Sequence, residues 1–164
     1  MASKRGKRPL EWSGQRVSVV NSTVLQSAEV NLALRDDEIA EIWAIQATLS
    51  VDAIVDNAVA MLLSMDPDST VDPMAAQQTA ATDLEVFFHR WFECELITAV
   101  GMYVPTQHYY ERHDPPILVG TNISLNAAAE IAAATTTIEA MVKVFFTRRK
   151  ANAAELNQIL LKRR

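Results

Sequence analysis

Hydrophobic and polar positions alternate along much of this chain, and a period of two is the signature of a half-buried strand. Val30, Leu32 and Leu34 alternate with Glu29, Asn31, Ala33 and Arg35. Trp43, Ile45, Ala47, Leu49 and Val51 share one predicted face, opposite Ala44, Gln46, Thr48, Ser50 and Asp52. Leu84, Val86 and Phe88 alternate with Asp83, Glu85, Phe87 and His89, and Phe92, Cys94 and Leu96 continue the pattern. Ile117, Val119, Thr121, Ile123 and Leu125 read as one strand, led in by Pro115 and Pro116, which favour extended backbone. Ile138, Ala140, Val142, Val144 and Phe146 form the last run, opened by the β-branched Thr135, Thr136 and Thr137.

Helical spacing competes in places. Ile39, Ile42, Gln46 and Leu49 follow the plausible caps Asp36 and Asp37, but the alternation from Trp43 onward outweighs them. Residues 53–63 fit either pattern. Residues 126–134 are alanine-rich and sit between two strands, so a loop or short helical turn is expected there. One helix is predicted near residues 152–163. Asn152 caps it, Glu155 completes a capping box, and Leu156, Ile159 and Leu160 make its apolar stripe. At about three turns it must dock on something to hold. Residues 65–82 and 99–116 read as long loops, the kind of segment that carries contacts. Residues 1–15 read as a flexible basic arm with Trp12 as its anchor, and residues 16–164 as one domain, with order beginning near Arg16.

Composition narrows the class. A chain of 164 residues that is 49% hydrophobic holds one domain, with a core that needs no disulfide or metal. No apolar run approaches the roughly 20 residues of a transmembrane helix. Basic residues 1–9 lead into Leu10, Glu11 and Trp12 rather than an apolar stretch, so no secretory signal is expected. Cys94 is the single cysteine, which excludes an intramolecular disulfide and a cysteine-based zinc site.

The net charge of −5 hides its arrangement. Residues 1–16 carry five cations against one acid, and residues 143–164 carry seven against one. Residues 17–142 carry three cations against 18 acids. Basic ends on an acidic body suit nucleic-acid phosphates, an anionic membrane surface, or the acidic body of a neighbouring subunit. The plainer alternative is a pair of solvated tails that keep the chain soluble.

Candidate chemistry is sparse. His108 and His113 stand five apart beside Glu111 and Asp114, but the spacing matches no strong metal signature. Asp66, Asp68, Thr70 and Asp72 resemble the start of a calcium loop, yet Val71 replaces the required glycine and Gln77 the closing glutamate. Cys94 reads as a buried, inert thiol. Phe87, Phe88, Trp91 and Phe92 could stack nucleobases, but aromatics on alternating strands ordinarily serve a core or interface. Phe87, Trp91, Met141 and Phe145 fall on the polar sides of their strands, which suggests burial against another subunit.

Seven or eight short strands point to a mainly β fold: an antiparallel two-sheet sandwich or single jelly roll, with a short C-terminal helix. Three features carry a family likeness: the start Met-Ala-Ser-Lys-Arg-Gly-Lys-Arg-Pro, the Pro115-Pro116-Ile117 lead into a strand, and the closing run 138–146 followed by Arg148-Arg149-Lys150. In these the chain resembles a small single jelly-roll viral capsid (coat) protein. The resemblance implies a structural, non-enzymatic virion protein, made in the host cytoplasm, that self-assembles into a symmetric icosahedral shell. Its partners would be many copies of itself, with genome nucleic acid, an inner membrane or a second capsid protein. It implies no cofactor, no metal and no catalytic residue. Lys4, Arg5, Lys7 and Arg8 are then the candidate genome or membrane contacts. Arg148, Arg149 and Lys150 form a second group, joined by Lys162, Arg163 and Arg164. Two other classes remain open: a non-viral nucleic-acid-binding module using the basic termini, and a small enzyme working at His108, Glu111 and His113.

Overall fold

In the computed structural model the two longest alternating runs become neighbouring central strands. The structure describes residues 9–20, 26–51, 57–64, 86–94, 106–131 and 137–161. These form β1 (Glu11–Val20), β2 (Gln26–Val30), β3 (Glu38–Val51), β4 (Asn57–Ser64), β5 (Val86–Cys94), β6 (Thr106–Val119), β7 (Ile123–Ile131), β8 (Thr137–Lys150) and α1 (Ala153–Leu161). The strands pair antiparallel in two four-stranded sheets, ordered β1-β8-β3-β6 and β2-β7-β4-β5. Only β4 and β5 are neighbours both in sequence and in a sheet. Every other connection between successive strands crosses from one sheet to the other. Eight strands in these two orders make a single jelly roll.

Alternation places the core between the sheets. Ile45, Ala47 and Leu49 of β3 and Ile138, Ala140, Val142, Val144 and Phe146 of β8 point inward. They meet Leu63 of β4, Phe88 and Phe92 of β5, and Ile123, Leu125, Ala127 and Ala129 of β7.

The structure departs from strict alternation at Trp43. The register of β3 shifts between Ile42 and Ala44 against both neighbours: against β8, whose Phe145 and Phe146 are adjacent, Trp43 is the extra residue of a bulge, and against β6 the surplus is residues 113–116. Ile42 and Ile45 both stay in the core. Trp43 turns out of its expected face, is 37% exposed, and donates its Nε1–H to Thr147 Oγ1 at 3.1 Å.

Other expectations are corrected by pairing. Residues 106–116, expected within a loop, belong to β6. Its prolines lie where the register against β3 breaks, on an edge strand that tolerates missing donors. The run 117–125 is not one strand. It ends at Val119 and resumes at Ile123 in the other sheet, and Asn122 ties the crossing: it accepts from Leu32 N at 2.8 Å and donates to Glu29 Oε1 at 2.6 Å. The alanines at 127–129 lie in β7, hydrogen-bonded to β2 and β4 on its two sides, which outweighs their small helical preference. β1 starts at Glu11, ahead of the boundary expected near Arg16, because pairing with β8 already holds Glu11 opposite Phe146. The segment 65–82 lies outside the described residues.

Candidate functional site

Among the described residues, three polar arrangements are candidates for function, and each is set by strand register. The first lies on the outer face of the β1-β8-β3-β6 sheet. Trp12 sits opposite Phe145, which sits opposite Ala44, which sits opposite Arg112. The next row on this face runs Gly14, Lys143, Gln46 and Tyr110, and the next Arg16, Met141, Thr48 and His108. Aromatic rings therefore stand outside the core: Trp12 is 63% and Tyr110 57% exposed. Lys143 Nζ lies 4.0 Å from the Trp12 ring centre and 5.5 Å from that of Phe145. Tyr110 meets Phe145 edge-on, with ring centres 6.4 Å apart. At Gly14 a side chain would come within 3.1 Å of the Val142 carbonyl. Its absence opens a shallow depression of about 470 Å³ between Trp12, Arg16, Gln46, Thr48, Met141 and Lys143. Arg16 pairs with Glu139 at 3.2 Å, and Thr48 Oγ1 bonds His108 Nδ1 at 3.1 Å.

The second arrangement closes one side of the sandwich, where edge strands β5 and β6 face each other. Arg90 of β5 donates to the Tyr109 hydroxyl and to Glu111 Oε2, both on β6. Its guanidinium also lies 3.9 Å from the Tyr109 ring centre and 5.5 Å from that of Phe88. His113 Nδ1 stands 3.7 Å from Glu111 Oε1. These side chains point inward, whereas His108 points outward from the same strand. The trio His108, Glu111 and His113 is thus split between two faces and gathers into no common site. Among the described residues, no group of three or more His, Cys, Asp or Glu is placed to hold a metal ion.

The third lies at the end of β8. Arg148 donates to both carboxylate oxygens of Glu11, at 2.9 and 2.6 Å, and to the Ala33 carbonyl at 2.9 Å. Arg149 donates to Glu41 on β3 and, at 2.8 and 2.6 Å, to both oxygens of Glu155 on α1. Lys150 pairs with Asp37 at 3.0 Å, well exposed. The predicted capping box is reciprocal: Glu155 N donates to Asn152 Oδ1 at 2.9 Å and Asn152 N to Glu155 Oε2 at 3.0 Å. Ile159 of α1 is buried, and its Cγ2 lies 3.4 Å from where a side chain at Gly120 would start. Arg149 and the Asn152 N–H hold the Glu155 carboxyl at about 2, below its ordinary 4.5. Glu11 raises the Arg148 guanidinium, Glu155 and Glu41 raise that of Arg149, and Lys150 lowers the Asp37 carboxyl.

A lowered carboxyl stabilises the fold above its unfolded value and loses that contribution as pH falls through the folded one. The docking of α1 is therefore expected to weaken as pH drops from about 4.5 toward 2. Amide exchange of α1 and the carboxyl chemical shift of Glu155, followed by NMR, check this: protection should fall as that carboxyl protonates.

Of the candidate contact residues, Arg148, Arg149 and Lys150 are brought together at the end of β8, each facing a carboxylate of its own chain. Lys4, Arg5, Lys7, Arg8, Lys162, Arg163 and Arg164 lie outside the described residues. The aromatic cluster on β5 divides: Phe88 and Phe92 are buried, and Phe87 packs half-buried against the core. Sequence reasoning missed the outer-face group of Trp12, Trp43 and Tyr110. Its available signals were Met141 and Phe145 on the polar side of β8.

No protein-family model matches the chain, and no curated protein matches it in sequence. Its backbone is similar to virus structures. A chain of tomato aspermy virus aligns with TM-score 0.49 at 11% identity, covering 94% of this chain and 85% of that one. A chain of the cyanophage Pam1 capsid aligns with TM-score 0.46 at 12% identity, over 90% and 91%. A chain of turnip yellow mosaic virus aligns with TM-score 0.41 at 12% identity, over 91% and 99%. The jelly-roll assignment rests on this chain's own strand order.

Proposed function

We propose that this chain is a structural virion protein. It assembles with many copies of itself into a closed, icosahedral shell, and its basic termini face the genome, an inner membrane or a neighbouring subunit. The observation that supports this reading is the union of a jelly-roll strand order with oppositely charged parts. Lys4, Arg5, Lys7 and Arg8 lie within the first eight residues, ahead of a body rich in uncompensated acids. A basic arm meeting the acidic body of the next copy would give neighbouring subunits attraction and register. The Arg148 and Arg149 pairs would brace the subunit internally, which leaves external contact chiefly to the arm.

Light scattering with negative-stain imaging tests this at low and high salt, with and without nucleic acid. Uniform closed particles of many subunits are expected, and removal of residues 1–8 should shift or abolish them. A species of a few subunits under every condition would overturn the shell reading. It would favour the second reading, a non-viral nucleic-acid-binding module, which the exposed aromatics and cations of the outer sheet face support.

A further inference from the structure

The outer face of the β1-β8-β3-β6 sheet joins cations with exposed aromatic rings. Residues 17–142 carry only Arg35, Arg90 and Arg112 as cations, and Arg112 stands on this face. Arg16 and Lys143 add two more from flanking strands. Of the carboxylates around this face, Glu139 is engaged with Arg16 and Ser18 and Glu41 with Arg149, while Asp114 stands exposed two residues from Arg112. Among these cations stand exposed rings, Trp12 and Tyr110, with Phe145 between them. Three strand spacings separate β1 from β6, so the backbones that carry the two outer rings lie about 14 Å apart across the sheet. A four-stranded sheet of this width holds two or three unpaired bases on its aromatic side chains.

We propose that this sheet face is a stacking platform for single-stranded nucleic acid, with Trp12 and Tyr110 taking base faces and Arg16, Lys143 and Arg112 taking phosphates. The inference rests on the reading of the basic arm as a nucleic-acid contact and deepens it. Arg8 precedes Trp12 by four residues, so a strand held by the arm is delivered to the platform. Charge selects this occupant over the other two candidates for an aromatic face. A neutral sugar gains nothing from three cations. A second copy docked about a two-fold axis through Lys143 would set that amine against its own mate. Nucleic acid uses rings and cations together, because every base has a stacking face and every linkage a charge.

The test is fluorescence anisotropy of end-labelled oligothymidylate and of a duplex of equal length, titrated with the full chain across a salt series. Trp12→Ala is expected to weaken single-strand binding about tenfold and leave duplex binding and the salt slope unchanged. Tyr110→Ala should act in the same direction, and Trp12→Phe should restore most of the loss. Trp12 is exposed, so the thermal transition of Trp12→Ala should match that of the parent. A chain lacking residues 1–8 should bind both probes more weakly, with a shallower salt slope, yet still prefer the single strand. If both alanine variants bind oligothymidylate as tightly as the parent while the arm deletion abolishes binding, the platform is wrong and the arm reading stands. If no form binds either probe, both nucleic-acid readings fall and the shell reading is judged on particle mass alone. Displacement of oligothymidylate by a neutral oligosaccharide at equal affinity would overturn the assignment in favour of a sugar site.

Discussion

Ile42→Ser is expected to cost about 4 kcal/mol of stability, and Trp43→Ser, one position further on, about 1. Ile42 is fully buried between the sheets, so serine there leaves a cavity and strands a hydroxyl in an apolar site. Trp43 is the extra residue of the β3 bulge, and its loss removes some surface packing and one exposed hydrogen bond to Thr147. Urea denaturation of the two variants against the parent measures the difference. A loss of about 4 kcal/mol is a large part of the 5–15 kcal/mol that typically holds a domain together. The ordering is the informative outcome. Unbroken alternation counted back from Ile45 puts Trp43 inside and Ile42 outside, so it predicts the reverse. If Trp43→Ser proved the more damaging, the bulge would be misplaced and the outer-face aromatic group would lose a member.

The same pair of residues shows where the sequence was legible. β8 and the second half of β3 were readable because each carries an unbroken period of two: one side of the strand is core and the other is not. One inserted residue inverts the parity on one side of it, and no local pattern marks the insertion, because Trp43 is as apolar as the residues it displaces. Tertiary pairing hid other elements. Ala127, Ala128 and Ala129 favour a helix in isolation but pair with β4, and Ala127 with β2 as well. The prolines at 115 and 116 read as loop, yet an edge strand accommodates them at a register break.

The candidate surface was less legible than the fold for a related reason. Trp12, Tyr110 and Phe145 are far apart in sequence, and only the order β1-β8-β3-β6 sets them on one face. Trp12 fell within what reads as an arm and Tyr110 within what reads as a loop, so neither was assigned a strand face. The cations at the end of β8 were visible, but their carboxylate partners were not. Glu11, Glu41 and Asp37 come from other parts of the chain, and register alone brings them there.

That difference between neighbouring cations sets the second expectation. Arg149→Ala should lower stability by about 2 kcal/mol and release α1 from the sheet, whereas Lys150→Ala should leave stability unchanged. Arg149 is largely covered and shared between Glu41 on β3 and Glu155 on α1, so its removal leaves two half-buried carboxylates facing each other without a cation. Part of the penalty for breaking a fully buried pair, about 3–5 kcal/mol, is relieved by water reaching the cluster. Lys150 and Asp37 are both exposed, and such a pair is screened and held loosely. Short helices persist by docking, so the arginine's loss falls first on α1, through both its capping glutamate and the seat of Ile159. Hydrogen exchange localises the effect: amides of Ala153–Leu161 should lose protection in Arg149→Ala while those of β3 and β8 keep theirs. Equal behaviour of the two variants would show that Arg149 is no clamp. Its charge would then be free to serve, with Lys150, the outside contact that the arm is proposed to make.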